Sequence, residues 1–166
     1  MALLETDLIG GGNPVDAVEL VADDREWAFE RSTPDEIAIQ VEGTWTDYSV
    51  SFSWMEAFEA LHIACAFDMR VPRTRRDEAL RLLSLVNEQM MFGHFDLWLD
   101  DGSVMFRHGV PLNGGAEMTE AQVEALLVNA LTSCERYHQA FQFVVWGGQN
   151  ARTALESTLF DTVGEA

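Results

Sequence analysis

The fold is decided by residues 36–70, which read EIAIQVEGTWTDYSVSFSWMEAFEALHIACAFDMR. Three successive runs in this stretch, beginning at Glu36, Tyr48 and Leu61, alternate apolar with polar or small side chains. A period of two is typical of half-buried strands, and the short connections favour an antiparallel meander. The apolar face of such a sheet requires a helical cover.

Helical patterns flank the meander. Asn13-Pro14 is typical of a helix start, and the helix should end near Ala22, before a brief strand from Trp27 to Glu30. After the meander, Thr74 and Asp77 have the spacing of a capping box. We expect the helix that they begin to continue toward a glycine cap at Gly93.

The last third of the chain predicts a hairpin and a long helix. Asp101-Gly102 suits a two-residue turn, which would place His108 opposite Phe95. Thr119 and the glutamine three residues later predict a capped helix that continues to Trp146, and a short helix should follow in the tail.

These elements predict the α+β class, with an antiparallel sheet of about five strands, a three-stranded meander plus a hairpin, packed with helices. A length of 166 residues suits one domain over residues 1–166. No repeat, linker or low-complexity segment divides the chain, and we expect residues 1–12 to be flexible.

The charge is strongly one-sided. The chain has 28 Asp and Glu against 10 basic residues, all of them arginine, and its formal net charge is −18. A field of this sign repels phosphate backbones and anionic lipids, so we expect neither nucleic-acid nor membrane binding. Acidity also keeps a protein soluble, and that function alone would account for it.

The cysteine count and the N-terminal sequence both favour a cytoplasmic protein. Cys65 and Cys134 are too few for a disulfide framework and lie at apolar positions, where thiols behave as small hydrophobes. The N-terminus carries acids where a signal peptide needs basic residues, and no apolar run has the roughly 20 residues that span a bilayer.

No residue pattern indicates catalysis. No serine lies in a G-x-S-x-G elbow, and Gly10-Gly11-Gly12 follows no strand, so it lacks the context of a dinucleotide loop. Paired acids fall in turns, where solvated carboxylates are usual. We therefore predict a non-enzymatic protein.

The four histidines do not have metal-site spacing. His94 and His108 should lie on opposite faces of the hairpin, and His62 and His138 belong to separate elements. We predict no metal and no cofactor.

One segment departs from the acidic background. Residues 70–81 carry a net charge of +3, and they contain half of the chain's positive charge: Arg70, Arg73, Arg75, Arg76 and Arg81. Arginines in a first helical turn are disfavoured by the helix dipole. Residues that are retained against such a local preference can indicate a functional site. These arginines either bind an anion or an acidic partner, or pair with the surplus carboxylates around them.

A second candidate lies at the end of the long helix, where FQFVVW leaves hardly any polar face. Phe141, Phe143 and Trp146 belong either to the core or to a contact between two copies of the chain.

Three stretches resemble the YbjN family, described as bacterial sensory transduction regulators. They are VEGTW with Tyr48, Asn87-Glu88 before Gly93, and CERYHQAFQFVVWG from Cys134 to Gly147. The resemblance implies a fold similar to type III secretion chaperones, a bacterial cytoplasmic location and self-association as a homodimer. The family has no established catalytic residues, so no catalytic role is carried over.

Two functions follow as hypotheses. The first is a regulatory or chaperone-like module that binds another, unidentified protein through exposed apolar surface. The alternative is a sensor that holds a small anionic metabolite at the arginine cluster.

Overall fold

The structure is a computed structural model that describes residues 12–164, with side chains to Leu159. Of the N-terminal segment expected to be flexible, residues 1–11 lie outside the described residues. The described elements, in chain order, are α1 (Pro14–Asp24), β1 (Ala28–Thr33), β2 (Glu36–Glu42), β3 (Asp47–Met55), β4 (Ala60–Arg70), α2 (Arg76–Asn87), β5 (His94–Trp98), β6 (Ser103–Pro111), α3 (Glu120–Val145) and α4 (Ala151–Gly164).

The strands form one antiparallel sheet in the order β1-β2-β3-β4-β6-β5, which confirms the α+β class. The sheet has six strands because the brief strand predicted near Trp27 extends over β1 and pairs with β2. The predicted meander is β2-β3-β4, joined at its last turn by a short 3-10 helix, Glu56–Phe58.

The helices cover the inner face of the sheet, where the alternation of the opening stretch places its apolar residues. Fully buried side chains on this face include Ile37, Val50, Phe52, Ile63 and Cys65. The outer face carries the serines of β3 and the small residues of β4, most of them half-buried or exposed. Burial of one face fixes the register of every strand.

Two predicted N-caps, Asn13 and Thr119, are confirmed. The Asn13 side chain accepts a hydrogen bond from the Val15 amide at 3.0 Å. Thr119 and Gln122 form a reciprocal capping box at the start of α3, which ends one residue before Trp146.

The predicted capping box at Thr74 is wrong. Thr74 lies within a 3-10 turn, Arg73–Arg75, and α2 begins at Arg76 with no side-chain cap. The predicted cap at Gly93 is also wrong, because α2 ends at Asn87. Gly93 has a φ of +76° and lies against the Phe106 ring, so it directs the chain into β5 instead.

The hairpin turn is longer than predicted. Trp98 pairs with Ser103, which leaves four residues in the loop, and Phe95 lies opposite Phe106 rather than His108. Gly102 has a φ of +77° and approaches the Val71 backbone, which holds the loop against the end of β4. The shift of two residues preserves the face of each side chain, so His108 stays on the inner face.

Candidate functional site

Two stretches that carry the family resemblance contact each other. The Glu135 carboxylate, on α3, accepts a hydrogen bond at 2.9 Å from the Thr44 amide, in the loop between β2 and β3. Gly43 is required beside it because a Cβ there would overlap the Glu135 carboxylate and the Tyr48 ring. The His138 ring, one turn along α3, meets the Tyr48 ring edge-on at 6.3 Å.

The two rings of this cluster are closed to solvent, whereas Thr44 is exposed and Glu135 is half-buried. Burial raises the pKa of the Tyr48 hydroxyl well above its usual range, and the nearby Glu135 carboxylate adds to the rise. Burial lowers the pKa of His138, while Glu135 acts in the opposite direction. Tyr48 and His138 are almost completely buried, so these two rings hold the loop against α3 and present no open site.

The third stretch of the resemblance has a structural role too. The Asn87 side chain donates a hydrogen bond to the Phe95 carbonyl at 3.0 Å and accepts one from the Phe95 amide at 2.8 Å. It therefore attaches the end of α2 to β5 in the way that a neighbouring strand would.

The arginine segment lies where α2 meets the turn between α3 and α4. Arg75 donates through Nε to the Val144 carbonyl at 2.8 Å, and its Nη2 donates to the Gln149 carbonyl. Glu78 accepts a hydrogen bond at 2.9 Å from the Ala151 amide at the start of α4. The helix dipole disfavours Arg75 at the start of α2, but the same guanidinium satisfies the Val144 carbonyl in the last turn of α3, where a cation is favoured.

The other four arginines of the segment differ in what they contact. Arg76 donates to the carbonyls of Val71 and Leu99. Arg70 forms an ion pair with Asp101 and also contacts Ser103, and Arg81 pairs with Glu78. Arg73 is exposed, and the structure gives its guanidinium no hydrogen bond or ion pair within residues 12–164. Binding through this segment stays a prediction, and Arg73 is the member best placed for it.

The end of α3 separates the three aromatic residues predicted there. Phe141 is fully buried and packs against Phe67 and Phe95 at ring distances of 5.6 and 5.5 Å, so it belongs to the core. Phe143 is partly buried. Trp146, just after the helix, is 63% exposed and remains available for contact with another chain.

A polar network crosses the outer face of the sheet at the β4, β6 and β5 strands. Arg107 donates to His62 Nε2 at 3.2 Å and to the Asp96 carboxylate at 2.9 Å, and His94 lies 3.3 Å from that carboxylate. Burial lowers the pKa of His62, and the Arg107 charge and His94 lower it further. His62 is therefore held neutral as the acceptor of the Arg107 bond.

Two apolar grooves flank the end of β6. The inner groove, about 470 Å³, lies on the helix side and includes Phe92, Val110, Met118, Ala125 and Leu126. The outer groove, about 240 Å³, lies on the open face of the sheet between the 3-10 helix Glu56–Phe58 and β6. Its lining includes Met55, Phe58, His62, Arg107 and Gly109.

Sequence reasoning missed both grooves. Their aromatic rims, Phe58 and Phe92, lie in connections between elements and are 72% and 57% exposed. Met91 and Phe92 form an apolar pair in the turn after α2, and they belong to no periodic pattern of a helix or strand. Such a pair is the feature of the sequence that could have indicated an exposed apolar surface.

The structure places the two cysteines together in the core, with both thiols free. A hydrogen bond with Cys65 and burial together raise the pKa of Cys134 well above its usual range. Within residues 12–164, no three His, Cys, Asp or Glu side chains converge to hold a metal ion. The helices of that part of the chain are too short or too polar to form a membrane span.

Comparisons with known proteins identify the family. The YbjN family model, described as "Putative bacterial sensory transduction regulator", matches residues 14–143. A comparison with curated proteins gave no match. The chain is similar to the crystal structure of YbjN from E. coli, described as "a putative transcription regulator", with a TM-score of 0.53, 10% identity and coverage of 89% of this chain and 93% of that one. It is also similar to the ExsC-ExsE complex, with a TM-score of 0.42, 16% identity and coverage of 75% and 92%. The chain belongs to the YbjN family.

Proposed function

We propose that this chain is a non-enzymatic regulatory module of the bacterial cytoplasm that acts by binding another protein. The observation that carries the proposal is the pair of apolar grooves at the end of β6, whose aromatic rims are exposed. Exposed aromatic side chains around an apolar groove are typical of protein contact sites. The family's description as a sensory transduction regulator supports a regulatory role.

The acidic surface supports the same proposal. A net charge of −18 disfavours nucleic acids and anionic membranes, and it favours partners that carry basic residues. The two free thiols packed together in the core suit a reducing compartment.

The test is capture of a partner from native cytosol on the immobilised chain, with an unrelated domain of matched negative charge as the control. We expect one specific protein to be retained by this chain and not by the control. Retention of no protein beyond those on the control would contradict the proposal. Arg73→Ser, assayed alongside, shows whether the arginine segment contributes to the contact.

The second candidate is a sensor of a small anionic metabolite, and the free guanidinium of Arg73 is the observation that favours it. A thermal-shift screen of anionic metabolites should then show a saturable rise in melting temperature that Arg73→Ser removes. The other four arginines of the segment already donate to oxygen acceptors, so they offer fewer free donors to an anion.

A further inference from the structure

Among residues 12–164, the end of β6 has a strand neighbour on one side only. β5 begins at His94, opposite Arg107, so the residues of β6 beyond Arg107 face no strand of the described part of the chain on that side. The Leu112 amide donates to the Glu59 carbonyl at 2.8 Å, so the backbone groups of Leu112 point toward β4. Backbone groups alternate sides along an antiparallel strand, so the N–H and C=O of Gly109 point toward the open edge.

The two grooves lie on opposite faces of the sheet at this edge, and both include Gly109 in their lining. Successive side chains of a strand point to opposite faces. A strand paired with Gly109 would therefore place alternate side chains in the inner groove, beside Phe92, and in the outer groove, beside Phe58. Neither a helix nor a compact ligand would use the edge and both grooves at once.

The charges around the grooves indicate what the occupant carries. Three carboxylates are next to groove residues in the chain, Glu56, Glu59 and Glu117, and a fourth, Glu120, is two residues from Met118. The guanidinium in the outer groove, that of Arg107, already donates to Asp96 at 2.9 Å. A second copy of this chain would bring its own charge of −18 to the same edge, whereas a basic segment would be attracted.

We infer that the open edge of β6 at Gly109 binds an extended segment of a partner protein, apolar on both of its faces and flanked by Lys or Arg. Backbone hydrogen bonds to Gly109 extend the sheet, and the alternate side chains enter the two grooves. The inference rests on the proposed function and specifies the chemistry of its partner.

The probe is a fluorescein-labelled peptide of alternating Val and Leu residues flanked by Lys, tested by fluorescence polarisation. One control peptide has a central Pro, which removes a backbone donor and prevents edge pairing; another has Glu in place of Lys. We expect saturable binding of the first peptide and at least about tenfold weaker binding of both controls. Hydrogen exchange at the Gly109 amide should slow in the complex, whereas the Val110 amide, already facing β4, should not change.

Three surface variants test the location. Phe92→Ser and Phe58→Ser should each weaken binding about tenfold, and Leu20→Ser, at a 72% exposed site on α1, should leave it unchanged. The inference would be overturned if the probe does not bind, or if the proline peptide binds as tightly as the first peptide. It would also be overturned if both groove variants bind the probe as tightly as the unmodified chain does, or if two copies of the chain pair at this edge. If native cytosol still yields a specific partner in those cases, the proposed function stands without this edge.

Discussion

At the scale of single residues, Arg75 shows how a cation can be retained at an unfavourable helix start. Its guanidinium satisfies the carbonyls of Val144 and Gln149. We expect Arg75→Gln to lower the free energy of unfolding by about 1–3 kcal/mol, because two partly buried acceptors lose their donor. Arg73→Gln is the matched control and should change stability by less than about 0.5 kcal/mol. Urea unfolding of both variants measures the difference, and equal midpoints would contradict the capping role.

Gly43 is a second residue whose identity is determined by its surroundings. Gly43→Ala would force a Cβ into the Glu135 carboxylate and the Tyr48 ring. We expect a loss of about 1–3 kcal/mol in the free energy of unfolding, since the loop or α3 must move. Gly109→Ala is the control, because a Cβ there meets nothing within 4 Å. An unchanged thermal midpoint for Gly43→Ala would show that the loop yields without strain.

Single residues were predicted well from the sequence where the determinant is local, and poorly where it is distant. The Asn13 cap and the Thr119 box depend on neighbours within three residues, and both are confirmed. The Arg75 guanidinium contacts carbonyls about 70 positions later in the chain, and no local pattern can show such a partner.

At the scale of elements, α2 and β5 are connected by the Asn87 side chain. Its donor and acceptor engage both backbone groups of Phe95. Asn87→Ala should therefore increase the rate of hydrogen exchange at the amides of β5 by at least about tenfold. This factor corresponds to a combined contribution of about 1.4 kcal/mol from the two hydrogen bonds to the stability of β5. Ser84→Ala, at an exposed position of the same helix, is the control. Equal exchange in β5 for the two variants would contradict this role.

The elements themselves follow from periodicity, but their arrangement does not. Alternation in residues 36–70 predicted β2, β3 and β4, and all three pair as a meander. That β6, rather than β5, lies beside β4 depends on packing across the sheet. The open edge at Gly109 follows from that arrangement and from the register of the hairpin, which the turn residues did not specify.

At the scale of the whole molecule, burial of neutral histidines makes stability depend on pH. Burial lowers the pKa of His138, so the folded state favours the neutral ring and the unfolded state binds more protons. Stability should therefore fall as pH drops below the unfolded value of about 6.5 toward the folded pKa. His62 and His108 act in the same direction.

His138→Gln isolates this contribution. Between about pH 7.5 and about pH 5.5, we expect the variant to lose less unfolding free energy than the unmodified chain. Urea unfolding at both pH values provides the comparison. Parallel losses in the two proteins would show that protonation of His138 does not oppose folding.

Self-association is the remaining prediction at this scale, and the exposed indole of Trp146 is the feature that supports it. The ring follows α3 directly and lies near the partly buried Phe143 in the chain. Two copies that met there would each bring a charge of −18, so salt should strengthen the contact by screening the repulsion. Light scattering coupled to gel filtration should give the mass of a dimer, more completely at higher salt.

Trp146→Ser should convert that dimer to a monomer, because removal of a large aromatic side chain from a contact costs more than about 1 kcal/mol. Trp98→Ser is the matched control: its indole is also exposed, but it belongs to β5. A monomeric mass for the unmodified chain at every salt concentration would contradict self-association. A dimer that survives Trp146→Ser but not Trp98→Ser would instead place the contact at the β5 edge of the sheet.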